Sequence, residues 1–252
     1  MKRFVGRSHG PGWGKTPPPG ELGTRGAELR LALRLATQDR ATRLAGLLVA
    51  LGCSVPLLGE PASVEARQRT AIIGAALLAA VSGACVLARG APLWSARRAA
   101  GPWLAPGIGR LAAVALIAGL AALAEAAVLF GGSPARAAAV AASALLGAGA
   151  LGAATMPLGA VLGSSGAAGV GAVAALGGSI PPSAIATLLA PWPLVRTPVV
   201  LVWNVLPLPW RAQAMLTGNA ASHGVWLCLW WAAGVLLAGW VAHRVDAPDG
   251  DR

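Results

Sequence analysis

Apolar and polar positions fall along this chain in long blocks, not at the short periods that mark half-buried helices or strands of a soluble core. Judged against about 20 apolar residues for a hydrocarbon layer of about 30 Å, the blocks predict membrane spans near 42–59, 71–88, 111–130, 137–162, 167–190 and 224–242. The first contains Pro56, and the fourth is long enough to tilt. Much of the apolar content is Ala and Gly. Leu, Ile, Phe and Val contribute only about 0.3–0.6 kcal/mol each to insertion, so the fourth block must lean on neighbouring helices. Ala144, Ala148 and Gly152 give it a small-residue ridge at i, i+4 spacing, which lets helix backbones approach closely. The expected fold is all-α: a polytopic bundle of transmembrane helices.

The segments between the blocks differ in kind. Residues 1–26 are rich in Gly, Pro and basic residues and lack an apolar run, which predicts a disordered cytosolic tail. Within it GPGWGKT, Gly10 to Thr16, approaches a phosphate-binding loop. His9 stands where the first glycine is required, and Pro17-Pro18-Pro19 follows where a helix should begin, so nucleotide binding is not expected there. Residues 27–41 have helix-forming composition, with Leu29, Leu33 and Ala36 on one side, and predict an interfacial helix leading into the membrane. Residues 245–252 form a second, short cytosolic tail.

Two loops carry more information. Arg89 to Arg110, RGAPLWSARRAAGPWLAPGIGR, holds four arginines and no acid. Pro92 and the Gly101-Pro102 pair bound a short helix, because proline suits a first helical position and Gly-Pro ends one. Trp94 and Trp103 suit the boundary between lipid and water. The stretch reads either as a docking helix for a cytosolic partner or as a plain orientation signal. The second loop, PWPLVRTPVVLVWNVLPLPW, is apolar enough to enter lipid, but its internal prolines would leave carbonyls without helical partners. It predicts an outward-facing re-entrant or interfacial segment over 191–211, with Trp192, Trp203 and Trp210 at the headgroup level, and not a seventh span.

Composition agrees with this reading: 56% hydrophobic and 12% charged is a membrane protein's balance. The net charge of +11 sits in the segments between apolar runs and not in a stripe interleaved with aromatics, which excludes nucleic acid as the expected partner. With six spans and the N-terminus inside, the cytosolic side receives fifteen of the twenty lysines and arginines, and both termini are cytosolic. Cys53, Cys85 and Cys228 all lie in apolar runs without paired spacing, so neither a zinc site nor a disulfide framework is expected, and no cofactor is predicted.

Candidate chemistry is sparse. Glu125 is the only acid in a predicted span, and intramembrane ionisable groups are functional candidates by default. It becomes a candidate for a substrate path, with a reach to the interface or a pairing with Arg136 as the plainer alternative. Ser143, Thr155 and Ser179 are expected to bond carbonyls of their own helix. Gly163 to Gly166 reads GSSG, which matches the G-x-S-G pattern around the nucleophile of rhomboid intramembrane proteases, and His223 precedes the last span. A serine needs its base within about 2.6–3.2 Å, and the six-span topology puts Ser165 and His223 on opposite faces. GSSG is therefore read as a tight turn between helices, with a Ser165–His223 protease as the minor alternative.

Taken in order, the interfacial helix, two spans, basic cytosolic helix, three spans, outer segment and last span resemble the permease subunit of type-2 ABC exporters over 27–244. Gly101-Pro102-Trp103 before the third span is similar to that family's opening loop. WNVLPLPWRAQAMLTG, Trp203 to Gly218, is similar to its pattern before the last span. The acidic residue and Gly-Thr usual at the start of the coupling loop are replaced by Arg89-Gly90, and Asn204 is not followed by proline. The resemblance implies a separately encoded ABC-type ATPase subunit and a homodimer or a heterodimer with a second permease. It also implies export across a bacterial cytoplasmic (inner) membrane, with Leu93, Trp94, Arg97 and Arg98 as the ATPase-coupling residues. The chain itself is then not an enzyme. Few polar groups in the spans point to a hydrophobic or amphipathic substrate. A non-catalytic membrane scaffold or accessory subunit is the alternative from a different class.

Overall fold

The computed structural model of the chain describes residues 25–58, 63–88 and 104–245. These residues form helices α1 (Arg25–Gln38), α2 (Arg40–Leu58), α3 (Val64–Ala88), α4 (Leu104–Phe130), α5 (Pro134–Gly177), α6 (Pro182–Leu188), α7 (Pro193–Val205), α8 (Pro209–Leu216) and α9 (Ala220–Val245), with no strand among them. Among the described residues, four stretches are long and apolar enough to cross a membrane: Val64–Val86, Ile108–Phe130, Pro134–Gly177 and Ala220–Val241. The all-helical expectation holds, and the long apolar helices are those of a chain compatible with a membrane. The predicted span at 42–59 falls on α2, which is not among those four.

Helix ends explain where observed and expected boundaries part. α3 starts well before residue 71 because Ser63 caps it, its Oγ accepting from the Ala66 amide at 3.2 Å. Glu65 and Arg69 then pair across the first exposed turns at 2.5 Å. Asp39 separates α1 from α2 and caps the latter, its Oδ1 taking the Ala41 amide at 2.8 Å. α1 uses the expected face: Ala32 and Ala36, with Leu29 and Leu33, pack on Val86 of α3 and Ala113 of α4.

α5 is one helical run broken at Gly163, whose φ of 73° and ψ of 168° are outside the helical region. A straight helix would hold Thr155 and Gly171 about 24 Å apart at 1.5 Å per residue. Instead a Cβ at Gly171 would lie 3.1 Å from Thr155 Cγ2 and 3.0 Å from Ala80 Cβ. The two arms, 134–162 and 164–177, therefore fold back against each other, and GSSG is the turn that the sequence suggested. The predicted fifth span, 167–190, is shorter than expected. The second arm ends at Gly177, and Pro181-Pro182 starts the separate helix α6, because Gly-Gly and Pro-Pro stop a helix from both sides.

Small residues set the packing. α3 and the first arm of α5 run parallel and close together: a Cβ on Gly83 would lie 2.5 Å from the Gly152 carbonyl oxygen, and one on Gly152 2.9 Å from that of Ala79. Thr155 Oγ1 donates across this interface to Ala80 O at 3.0 Å, while also lying 3.0 Å from Gly152 O in its own helix. Ala144, Ala148 and Gly152, the predicted ridge, are all buried. α4 closes the core with Val114, Ala118 and Ala122. α9 runs parallel to the first arm of α5, Trp231 Nε1 donating to Leu146 O at 3.0 Å. The short helices before α9 divide in two. α6 and α7 bury no residue, whereas α8 buries Pro209, Arg211 and Ala212. Ala212 packs against Gly147, thirteen residues into α5, so α8 lies alongside the middle of that arm rather than at its end.

Candidate functional site

The charged groups that the fold buries are where chemistry would be held. Glu125, on α4, is 4% exposed, and neither carboxylate oxygen has a hydrogen-bond partner. It lies against the bare backbone of Gly74 on α3, where an added Cβ would stand 2.7 Å from Oε2. The proposed pairing with Arg136 does not form: Arg136 is exposed at the start of α5. Arg67, on the same face of α3 as Gly74, approaches the backbone above it, with Nη1 3.5 Å from Leu129 O.

A second buried charge was counted in the sequence only as a loop arginine. Arg211 sits on α8 with 9% exposure. Its Nη1 donates to His223 Nδ1 at 3.2 Å, and its Nη2 donates to Asn204 O. The guanidinium lies between two indoles, 4.7 Å from the Trp210 ring centroid and 5.1 Å from that of Trp226, the geometry of a cation–π clamp. Trp210 in turn meets the His223 ring edge-on at 5.3 Å. Trp226 and Trp230 both donate to Val205 O, at 3.1 and 2.9 Å, which ties the end of α7 to α9. No carboxylate among the described residues balances Arg211, and its Nε is without a partner. One signal was present in the sequence: no acid occurs between Glu125 and Asp246, so an arginine in that interval has no acidic neighbour nearby in sequence.

Beside this cluster a cavity of about 480 Å³ opens between α3, α6, α8 and α9. Glu65, Gln68 and Arg69 line it from α3, and Trp210, Gln213 and His223 from the other side. Trp210 Nε1 and Gln213 Nε2 are buried donors without acceptors.

The remaining candidates separate. Ser165 stands just past the Gly163 turn, and His223 stands beside Trp210, whose amide donates to Gly178 O at 2.9 Å. The thirteen residues from Ser165 to Gly178 make about 20 Å of helix, so no serine–histidine dyad is assembled. Ser143 and Ser179 bond their own helices as expected, to Val140 O at 3.0 Å and Leu176 O at 3.1 Å. Leu93, Trp94, Arg97 and Arg98 lie outside the described residues. Arg110, counted as a cytosolic loop charge, is 1% exposed within α4 and so belongs to the helix interior. No group of metal-ligating side chains occurs among the described residues. Comparison of the chain with protein-family models, with characterised proteins and with solved structures found no match.

Proposed function

We propose that the chain is the membrane-spanning permease subunit of an ATP-driven exporter of the type-2 ABC kind, working with a separately encoded ATPase in a bacterial cytoplasmic membrane. The observation that carries the reading is the placement of α8. A short helix with a buried arginine lies alongside the middle of a long apolar helix, immediately before the last long helix. That is how a re-entrant outer segment would lie in such a permease. The helix directions support six crossings with both termini in the cytosol: α3, the first arm of α5 and α9 share one direction, and the second arm of α5 runs against them.

In this reading two such subunits, identical or different, form the pathway. ATP binding draws the partner ATPases together, and the segment that carries Leu93, Trp94, Arg97 and Arg98 passes that movement to α3 and α4. Backbone contacts such as Gly83–Gly152 present smooth surfaces along which helices rock. The substrate is hydrophobic or amphipathic, since the spans offer few polar groups, and Glu125 is the charged group on its path. The test is affinity purification of the full chain from its native membrane. An ABC-type ATPase should co-purify and be lost when Arg97 and Arg98 are changed to Glu. Recovery without any ATPase, or an inverted topology in that variant with no binding defect, overturns the proposal in favour of a scaffold.

A further inference from the structure

The contact between Arg211 and His223 admits one protonation state. A guanidinium has donors and no acceptor, so the 3.2 Å contact from Arg211 Nη1 needs a lone pair on His223 Nδ1. The imidazole is then neutral, with its proton on Nε2. A proton on Nδ1 removes the acceptor and sets a second cation against the first. Arg211 is 9% exposed and pairs with no carboxylate among the described residues, so nothing there offsets the added charge. The elements around His223 offer no substitute. Glu65, the carboxylate on the α3 wall of the neighbouring cavity, is held by Arg69 at 2.5 Å. α6 brings only Pro181, Pro182 and Ser183 to that wall, and Arg196 of α7 lines a different cavity. On α4 Glu125 is buried without a partner, and on α5 Arg136 is exposed.

A proton can reach this contact, because His223 lines the cavity of about 480 Å³ whose α3 wall carries the exposed pair Glu65 and Arg69. The contact also lies where three helices are tied together. Arg211 of α8 packs against Trp226 of α9, and its Nη2 donates to Asn204 O of α7. We propose that Arg211 and His223 form a pH-sensitive latch: protonation of His223 breaks the contact, drives the guanidinium out of its indole clamp and frees α8 from α9. In the orientation that the charge count favours, the latch senses the acidity of the outer medium. It rests on packing within this chain and stands whether or not an ATPase partners it.

The experiment measures how readily a buried cysteine at the start of α8 is labelled. The full chain, with Cys53, Cys85 and Cys228 replaced, is purified in dodecyl maltoside and treated with a maleimide at about pH 8 and about pH 5, the range over which histidine titrates. Leu208→Cys reports the start of α8, since Leu208 is 1% exposed. Ser165→Cys, at an exposed position, carries the reagent's own pH dependence. The ratio of the Leu208→Cys rate to the Ser165→Cys rate should rise about ten-fold or more at the lower pH, the scale on which like charges in contact disfavour one another. His223→Asn, whose Oδ1 takes the place of Nδ1 and accepts at either pH, should hold the ratio constant. Arg211→Gln, which leaves an imidazolium no cation to oppose, should do the same. Ala212→Cys, also at a buried position, replaces Leu208→Cys if that variant fails to fold. A ratio that does not change with pH while both residues are present, an equal rise in either variant, or loss of helical circular dichroism at the lower pH, which would mean that the whole bundle has opened, overturns the proposal.

Discussion

Glu125 shows what a single residue can and cannot announce. An acid in an apolar run was visible at once, but its surroundings were not, because Gly74 lies 51 positions earlier and only the pairing of α3 with α4 brings them together. The structure gives that contact a testable form. A Cβ at Gly74 would press on the carboxylate, 2.7 Å from Oε2, and overpacking of this kind costs about 1–3 kcal/mol. Gly74→Ala should therefore lower the unfolding midpoint of the purified protein, and Glu125→Ala should restore most of that loss when the two are combined. A coupling of about 1 kcal/mol between them is expected for residues in direct contact. Additive effects would mean that the carboxylate does not lie on Gly74. Arg211 is the opposite case. Its buried position was hidden because the sequence shows a proline-broken loop, whereas its indole clamp depends on Trp226 from another helix. The lone hydroxyls were legible, since a serine bonding its own turn is a local matter, but Thr155 reaching Ala80 was not.

At the level of elements, the cores of the long helices were readable from their apolar blocks and their ends were not. α3 begins seven residues before the expected residue 71 because capping by Ser63 and an exposed ion pair hold polar turns in helical form. The second arm of α5 stops early for the converse reason, at glycines and prolines embedded in an apolar run. The turn between the arms was the most legible feature of all, since Gly163 opens the only GSSG in the chain. Its φ of 73° with ψ of 168° lies in a region that essentially glycine alone occupies, at a cost of about 1–3 kcal/mol for other residues. An added Cβ there meets no atom within 4 Å, so backbone strain is isolated from crowding. Gly163→Ala should lower stability by that amount, while Gly166→Ala, at a residue without positive φ, should lower it less. Equal effects at both positions would show that the turn does not need the glycine conformation.

For the molecule as a whole, the directions of the helices make a prediction that charge counting made independently. The positive-inside count puts the Gly163 turn on the cytosolic side and the α8–α9 connection outside. The structure separates the same two regions: the turn lies at the end of the first arm of α5, and the start of α9, which runs parallel to that arm, lies toward the arm's beginning. The first arm, residues 134–162, is about 43 Å long, enough to cross a layer of about 30 Å. The second, 164–177, is about 21 Å, too short to cross by itself, so a six-span arrangement requires α6 and the turns around it to complete the passage. Single cysteines test this in a background where Cys53, Cys85 and Cys228 are replaced. Ser165→Cys and Asn219→Cys, both at exposed positions, should be labelled by a membrane-impermeant maleimide from opposite faces: Asn219→Cys in intact cells, Ser165→Cys only after the membrane is opened. Labelling of both in intact cells would place the Gly163 turn and the α8–α9 connection on one side. The second arm would then be a dip into the bilayer rather than a crossing, and the six-span arrangement on which the permease reading stands would fall with it.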